Sequence, residues 1–339
     1  MLIIPLFSVA ILVWAMEAYF GTLYGDLTRI GQLDEGDFGW QMQQPPVPIA
    51  LLKSYSLNEA DILIIGDSFS NELVWQSRLI TAGFKPSTLK WADLKPCGLG
   101  QNLGEVVRQA GFSGRYVIIE NIERGFEDLM SLDCDITSKI KGTMYNGISP
   151  PTTPPNDRLQ IFSSREPLGG DWVIHALINK IKLTHFFDPS AKYLEFGNGT
   201  HVIPIDGCHL FSNKLCNYGL FFSQDFVKKT FSSIDNVLAL NRNLKKVGID
   251  TIWLVVPDKA TVYLGYGKLN TNQYLNVWDE FAKHPELEAP HLGQAFSQQS
   301  QLTKDFYNPN NTHLSTHGYL YLGDLMVNFL RIKNRDEQQ

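Results

Sequence analysis

The sequence predicts an α/β protein: a mostly parallel sheet flanked by helices, with an N-terminal membrane segment in front and a large loop-rich insertion within. Three observations point there. Short apolar runs at residues 60–65, 116–119 and 252–256 end at polar or turn residues, as strands buried on both faces do. Stretches with helical periodicity fall between and after them, the alternation that builds parallel sheets. Between residues 137 and 228 that alternation breaks down.

The N-terminus is read first. In residues 1–25 the only charged side chain is Glu17. About 20 apolar residues span a bilayer as a helix, and about 10–14 suit a signal-peptide core. No Lys or Arg precedes the run and no small-residue cleavage site stands out, so residues 1–25 read as an uncleaved membrane anchor. A buried first helix is the alternative. Residues 26–57, with Gly31, Gly36, Gly39, Pro45, Pro46 and Pro48, read as a linker.

The main domain is expected over residues 58–332. Its first strand, 60–65, runs into Gly66. A helix follows at 70–83, with Leu73, Val74, Leu79 and Ile80 on one face and Gly83 ending it. A second helix is expected at 233–247, striped by Val237, Leu238, Leu240 and Leu244 and closed by Gly248. An amphipathic helix at 320–332 comes last, and residues 333–339 form a polar tail. The insertion at 137–228 holds Pro150, Pro151, Pro154, Pro155 and the pair Gly169-Gly170, and reads as a lid or substrate-binding surface. Its aromatics, Trp172, Phe186, Phe187, Tyr193 and Phe196, are either sugar-stacking faces or core.

Composition excludes some partners. Apolar residues make up 44% and charged residues 19%, and the net charge is -6, so the basic footprint of a nucleic-acid binder is absent. The four cysteines are Cys97, Cys134, Cys208 and Cys216, with no CxxC pair, which speaks against a zinc site. Cys208 and Cys216 bracket a short polar loop and suit a disulfide in an oxidising compartment; four unpaired thiols are the alternative. No metal or cofactor is expected.

Four short blocks carry chemistry. Ser68, in Gly66-Asp67-Ser68-Phe69-Ser70, follows a buried strand and opens a helix, so it faces the carboxyl edge of the sheet where open α/β sheets bind ligands. The same sequence is also an ordinary turn and N-cap. The loop Lys95-Pro96-Cys97-Gly98-Leu99-Gly100 offers backbone N–H groups at Gly98 or Gly100. Asn121, at the end of the second strand, could donate its amide to an oxyanion, or make an Asx turn; Arg124 follows it as a binding candidate. His313, in Asn310-Asn311-Thr312-His313-Leu314-Ser315-Thr316-His317, lies just before the last helix. Serine becomes nucleophilic when a base takes its proton, and histidine suits that task near neutral pH.

The order Ser, Gly, Asn, His resembles the SGNH hydrolase family. More specifically, Val255-Val256-Pro257-Asp258-Lys259-Ala260-Thr261-Val262-Tyr263, together with Thr312-His313-Leu314-Ser315 and His317-Gly318-Tyr319, is similar to the SGNH-like domains of alginate O-acetyltransferases. The resemblance covers residues 58–332, with 137–228 matching poorly. It implies a flavodoxin-like sheet, Ser68 as nucleophile, His313 as base, and Gly98 or Gly100 with Asn121 in the oxyanion hole. It also implies a polysaccharide acceptor and an acyl donor delivered by a membrane protein, on the periplasmic side of the inner membrane.

One family feature is missing. The family places an Asp two or three residues before the histidine, and here Asn311 and Asn310 stand there. Three explanations are open: a Ser–His dyad oriented by an Asn or a backbone carbonyl, another carboxylate such as Asp305, or a weak or inactive domain that binds glycan. The expected functions are accordingly O-acetyl transfer to a polysaccharide, with a carbohydrate acetyl-esterase or a non-catalytic glycan-binding component as alternatives.

Overall fold

The structure is a computed structural model that describes residues 11–12, 14–15, 24–90, 102–130, 169–185, 192–227, 231–265 and 277–336. The chain divides into two compact units. A sheet unit comprises residues 45–155, 228–298 and 316–339; a second unit comprises residues 1–44, 156–227 and 299–315.

The sheet unit is α/β. Strands β1 (Ile62–Gly66), β2 (Pro86–Lys90), β3 (Tyr116–Ile122) and β7 (Asp250–Val256) pair in parallel in the order β2-β1-β3-β7. Every residue of β1, β3 and β7 is buried, which is why each reads as an unbroken apolar run. The edge strand β2 gave no such signal. It opens on Pro86, tolerated at the first position of a strand, and carries few apolar side chains.

The expected helix at 70–83 is two short ones, α3 (Ser68–Asn71) and α4 (Gln76–Thr81). Leu73 breaks them apart with a left-handed φ of 59°. The helix α8 (Ile234–Lys246) matches its expected stripe: Val237, Leu238, Leu240 and Leu244 are buried, and Gly248 ends the turn at φ 71°. Other helices of this unit are α5 (Leu103–Gln109), α6 (Phe126–Leu129), α9 (Lys259–Leu264), α10 (Val277–Phe281) and the last helix, Thr316–Asp336. A further helix, Leu292–Leu302, begins here.

The second unit corrects two expectations. Residues 26–44, expected as linker, form α1 (Asp26–Gly31) and α2 (Glu35–Phe38). The insertion is not a bare loop region: it supplies α7 (Gly170–His185) and the antiparallel strands β4 (Leu194–Phe196), β5 (Thr200–Pro204) and β6 (Tyr218–Phe222). Leu27, Leu33, Phe38, Leu183, Phe196, Val202 and Leu220 share one core, each worth about 1.5–3 kcal/mol when fully buried. Gly31, read as a linker glycine, lets α1 approach β5, since a Cβ there would stand 2.8 Å from Thr200 Cβ. Lys180 of α7 bonds Asp34 at 2.6 Å and Asp37 at 3.0 Å. Burial alone would lower its pKa, but the two carboxylates outweigh burial and raise it.

Cys208 and Cys216 form the expected disulfide. Phe196 is core, whereas Tyr193 is exposed and stacks on His201 at 4.3 Å. Cys97, Cys134, Phe186 and Phe187 lie outside the described residues, as does most of the expected anchor at 1–25. Among the described residues, no helix is long and apolar enough to cross a membrane.

Candidate active site

In the sheet unit, β1 delivers Gly66-Asp67-Ser68 to the carboxyl edge of the sheet. The chain after β1 forms β2 on one side, and β3 packs on the other, so this edge is a topological switch point, where α/β sheets bind ligands. Gly66 permits the tight turn: a Cβ there would stand 2.3 Å from Ser70 Oγ and 2.6 Å from Glu120 Oε2. Asp67 pins the turn from both ends. Its Oδ1 accepts from Phe69 N–H at 2.8 Å, capping α3, and its Oδ2 accepts from Ile122 N–H at 2.7 Å, at the end of β3. The two serines of the motif then divide. Ser68 is exposed, while Ser70 is buried, donates to Glu120 Oε2 at 2.6 Å and accepts from Trp75 Nε1–H at 3.2 Å.

Asn121 sits inside β3 rather than just past it, in register with Val255 of β7. It is 4% exposed, and its Oδ1 meets no donor among the described residues. Arg124 donates to Asp258 Oδ1 at 2.6 Å, a pairing that the buried Asp258 carboxylate requires, so its charge is committed to the end of β7. Glu123 completes that corner by accepting from Asp258 N–H at 2.9 Å and from Thr261 Oγ1 at 2.7 Å. Gly98 and Gly100 lie outside the described residues.

In the second unit, His313 is set by its own loop. Its backbone N–H donates to Asn311 Oδ1 at 3.0 Å, and Asn308 N–H donates to its carbonyl at 3.1 Å. Three acceptors face ring Nδ1: Asn311 Oδ1 at 2.8 Å, Thr312 Oγ1 at 3.3 Å, whose own hydrogen goes to Asp26, and the Asp26 carboxylate, whose Oδ2 is 3.6 Å away. Since all three accept, this network assigns the proton to Nδ1 and leaves the lone pair on Nε2, the form a general base requires. Thr312 holds Asp26 in place, donating its backbone N–H to Oδ1 at 2.8 Å and its hydroxyl to Oδ2. Burial works against an ionised Asp26, but the His313 and Thr312 interactions outweigh it and lower its pKa.

The carboxylate beside His313 is therefore Asp26, which sequence reasoning missed. It lies 286 positions before Thr312, at the first turn of α1. Its one local signal is an acidic residue at a helix start. Asp305, the expected substitute, is buried and spent on Ser212, accepting from its N–H at 2.7 Å and from its hydroxyl. Of the two asparagines, only Asn311 bonds the ring. Asn310 is structural: its amide donates to Glu35 Oε1 and its carbonyl accepts from Leu27 N–H at 3.1 Å. His317 lies in the sheet unit, where burial lowers its pKa.

Glu35 makes the loop sensitive to pH. Burial pushes its carboxyl up to about 7, against donors from Thr28, Asn310, Gly25 and Tyr24. Above its ordinary value of 4.5, the unfolded chain releases a proton that the folded chain keeps, so stability falls as pH rises toward 7. The shift corresponds to about 3 kcal/mol lost across that window. Glu35→Gln, which stays neutral, is expected to remove this slope in chemical denaturation series between about pH 4.5 and 7. An unchanged slope would show that Glu35 titrates normally.

No three His, Cys, Asp or Glu side chains among the described residues converge as a metal site would require. Comparison with protein-family models, with curated proteins and with solved structures gave no match.

Proposed function

We propose that this chain is a serine-dependent O-acyltransferase of SGNH type that transfers an acetyl group to an extracytoplasmic polysaccharide. The observation that carries this reading is the Asp26–Asn311–His313 arrangement, which supplies the carboxylate and the ring tautomer that a serine nucleophile needs. Ser68, exposed after β1, is the nucleophile, and the reaction requires its hydroxyl to reach His313 Nε2.

The chemistry has two steps. Ser68 Oγ attacks the acyl carbonyl as its proton passes to His313, and the donor's leaving oxygen departs with that proton. A sugar hydroxyl then attacks the acyl-enzyme, giving its proton to His313, and Ser68 is regenerated. Asn121 and a glycine N–H of the 95–100 loop stabilise the oxyanion in both steps. The acyl donor arrives from a membrane protein, and residues 1–25 keep the enzyme at the periplasmic face of the inner membrane.

A chromogenic acetyl ester, with and without an oligosaccharide acceptor, tests the reading. Acceptor-dependent formation of acetylated sugar is expected. Release of acetate to water alone would make the protein an esterase. Absence of any acyl-enzyme by intact mass, even with a reactive donor, would make it a glycan-binding component.

A further inference from the structure

We propose that Glu120 keeps its proton beside the Asp67 carboxylate, and that this acid–carboxylate pair positions the turn carrying Ser68. The inference rests on the reading of Ser68 as nucleophile, but the pair itself can be observed without it. Glu120 is fully buried in β3, yet its two oxygens are treated unequally. Oε2 accepts twice, from Ser70 Oγ at 2.6 Å and from Asp67 N–H at 3.1 Å. Oε1 is buried and meets no donor among the described residues. An oxygen with no donor in a dry site is where a carboxyl keeps its proton, since an ionised oxygen there would be uncompensated.

The groups facing Glu120 are Asp67 from the β1–α3 turn, the uncharged Ser70 of α3, and Gly66 of β1; β7 places Leu254 beside it in register. Asp67 is thus the charge that acts on it. Burial, and then the Asp67 charge, hold the Glu120 carboxyl well above the ordinary range. The Glu120 carboxyl accepts from Ser70 Oγ and Asp67 N–H, and the Asp67 carboxylate in turn accepts from Phe69 N–H and Ile122 N–H. Loss of the retained proton sets a second carboxylate against Asp67 in the turn that carries Ser68, so Glu120 is a positioning residue.

The test uses Glu120→Gln, which mimics the neutral acid, in the full chain. Between about pH 5 and 7, one retained proton makes the wild-type unfolding constant rise about tenfold per pH unit relative to the variant. Equal slopes would overturn the retained proton. Glu35→Gln protein, with Glu120 intact, gives a second reading should the Glu120 variant fail to fold: infrared spectra near pH 6.5, where an ordinary carboxyl is ionised, are expected to keep a protonated-carboxyl band, and its absence would overturn the pair. Ester turnover provides the positioning readout. The wild type is expected to lose kcat at alkaline pH along a limb that the variant lacks, and matching profiles would overturn the positioning role. The first two measurements need no activity, so a failure of the catalytic reading is separable from a failure of the pair.

Discussion

On the proposed mechanism Ser68→Ala is expected to abolish ester turnover, with kcat falling about 10⁶-fold, and His313→Ala to do nearly the same. The effects would be large because that mechanism uses the two groups as a unit: without the base the hydroxyl is not nucleophilic, and without the nucleophile the base has nothing to deprotonate. The double variant is therefore expected to be no slower than either single one. Ser68 is exposed, and the stability change on its truncation is expected to stay within about 0.5 kcal/mol, as for most surface substitutions. Steady-state kinetics with a chromogenic ester, alongside thermal melts, measure both. A fluorophosphonate probe adds a stricter check. It should modify wild-type Ser68 and fail on His313→Ala, because the probe reports activation rather than exposure. Full turnover by folded Ser68→Ala would remove Ser68 from the mechanism.

The parts of the fold legible in the sequence are those whose signal is local. β1, β3 and β7 are buried on both faces, so five to seven consecutive residues announce each of them. The α8 stripe and Gly248 are equally local. What escaped reading is assembled from distant pieces. The second unit's core takes Leu27, Leu33 and Phe38 from one end of the chain and Leu183, Phe196, Val202 and Leu220 from the insertion. Neither segment carries enough apolar residues to declare itself, so one read as a linker and the other as a lid. Glycines misled in the same way: Gly31 marks a close approach to Thr200, not a flexible tether.

The site divides along the same line. The exposed placement of Ser68 after β1 was legible because a buried strand, a glycine and a capping Asp define its surroundings within a few residues. The place of His313 in the loop before the last helix was legible as well. Asp26 was not, because its partnership with His313 depends on how Thr312 and α1 pack, and no spacing rule connects them. The search for a carboxylate just before the histidine found two asparagines, and only Asn311 turned out to face the ring.

Asp26→Asn tests whether that distant carboxylate does the work of a triad acid. Two functions are separable here. Asn311 Oδ1, 2.8 Å from Nδ1, already fixes the tautomer, while Asp26 Oδ2, at 3.6 Å, is placed to supply negative charge to the imidazolium that the proposed mechanism forms in each step. At an effective dielectric of about 20, a unit charge at that separation is worth about 4–5 kcal/mol. Both side chains keep 22% exposure, so solvent screening brings the expected loss in kcat to about 10²–10³-fold. That is less than the ~10⁴-fold of a serine protease whose Asp is replaced, where the tautomer is lost as well. Asn311→Ala should cost about tenfold, and the double variant should approach the full 10⁴-fold, because only then is the ring free to take the wrong tautomer. Asn at position 26 still accepts from Thr312 N–H through its side-chain oxygen, so the loop should stay folded and KM should change little. Wild-type kcat in Asp26→Asn, with a large loss in Asn311→Ala, would reduce the machinery to a dyad steadied by an amide and leave Asp26 as a loop tether alone.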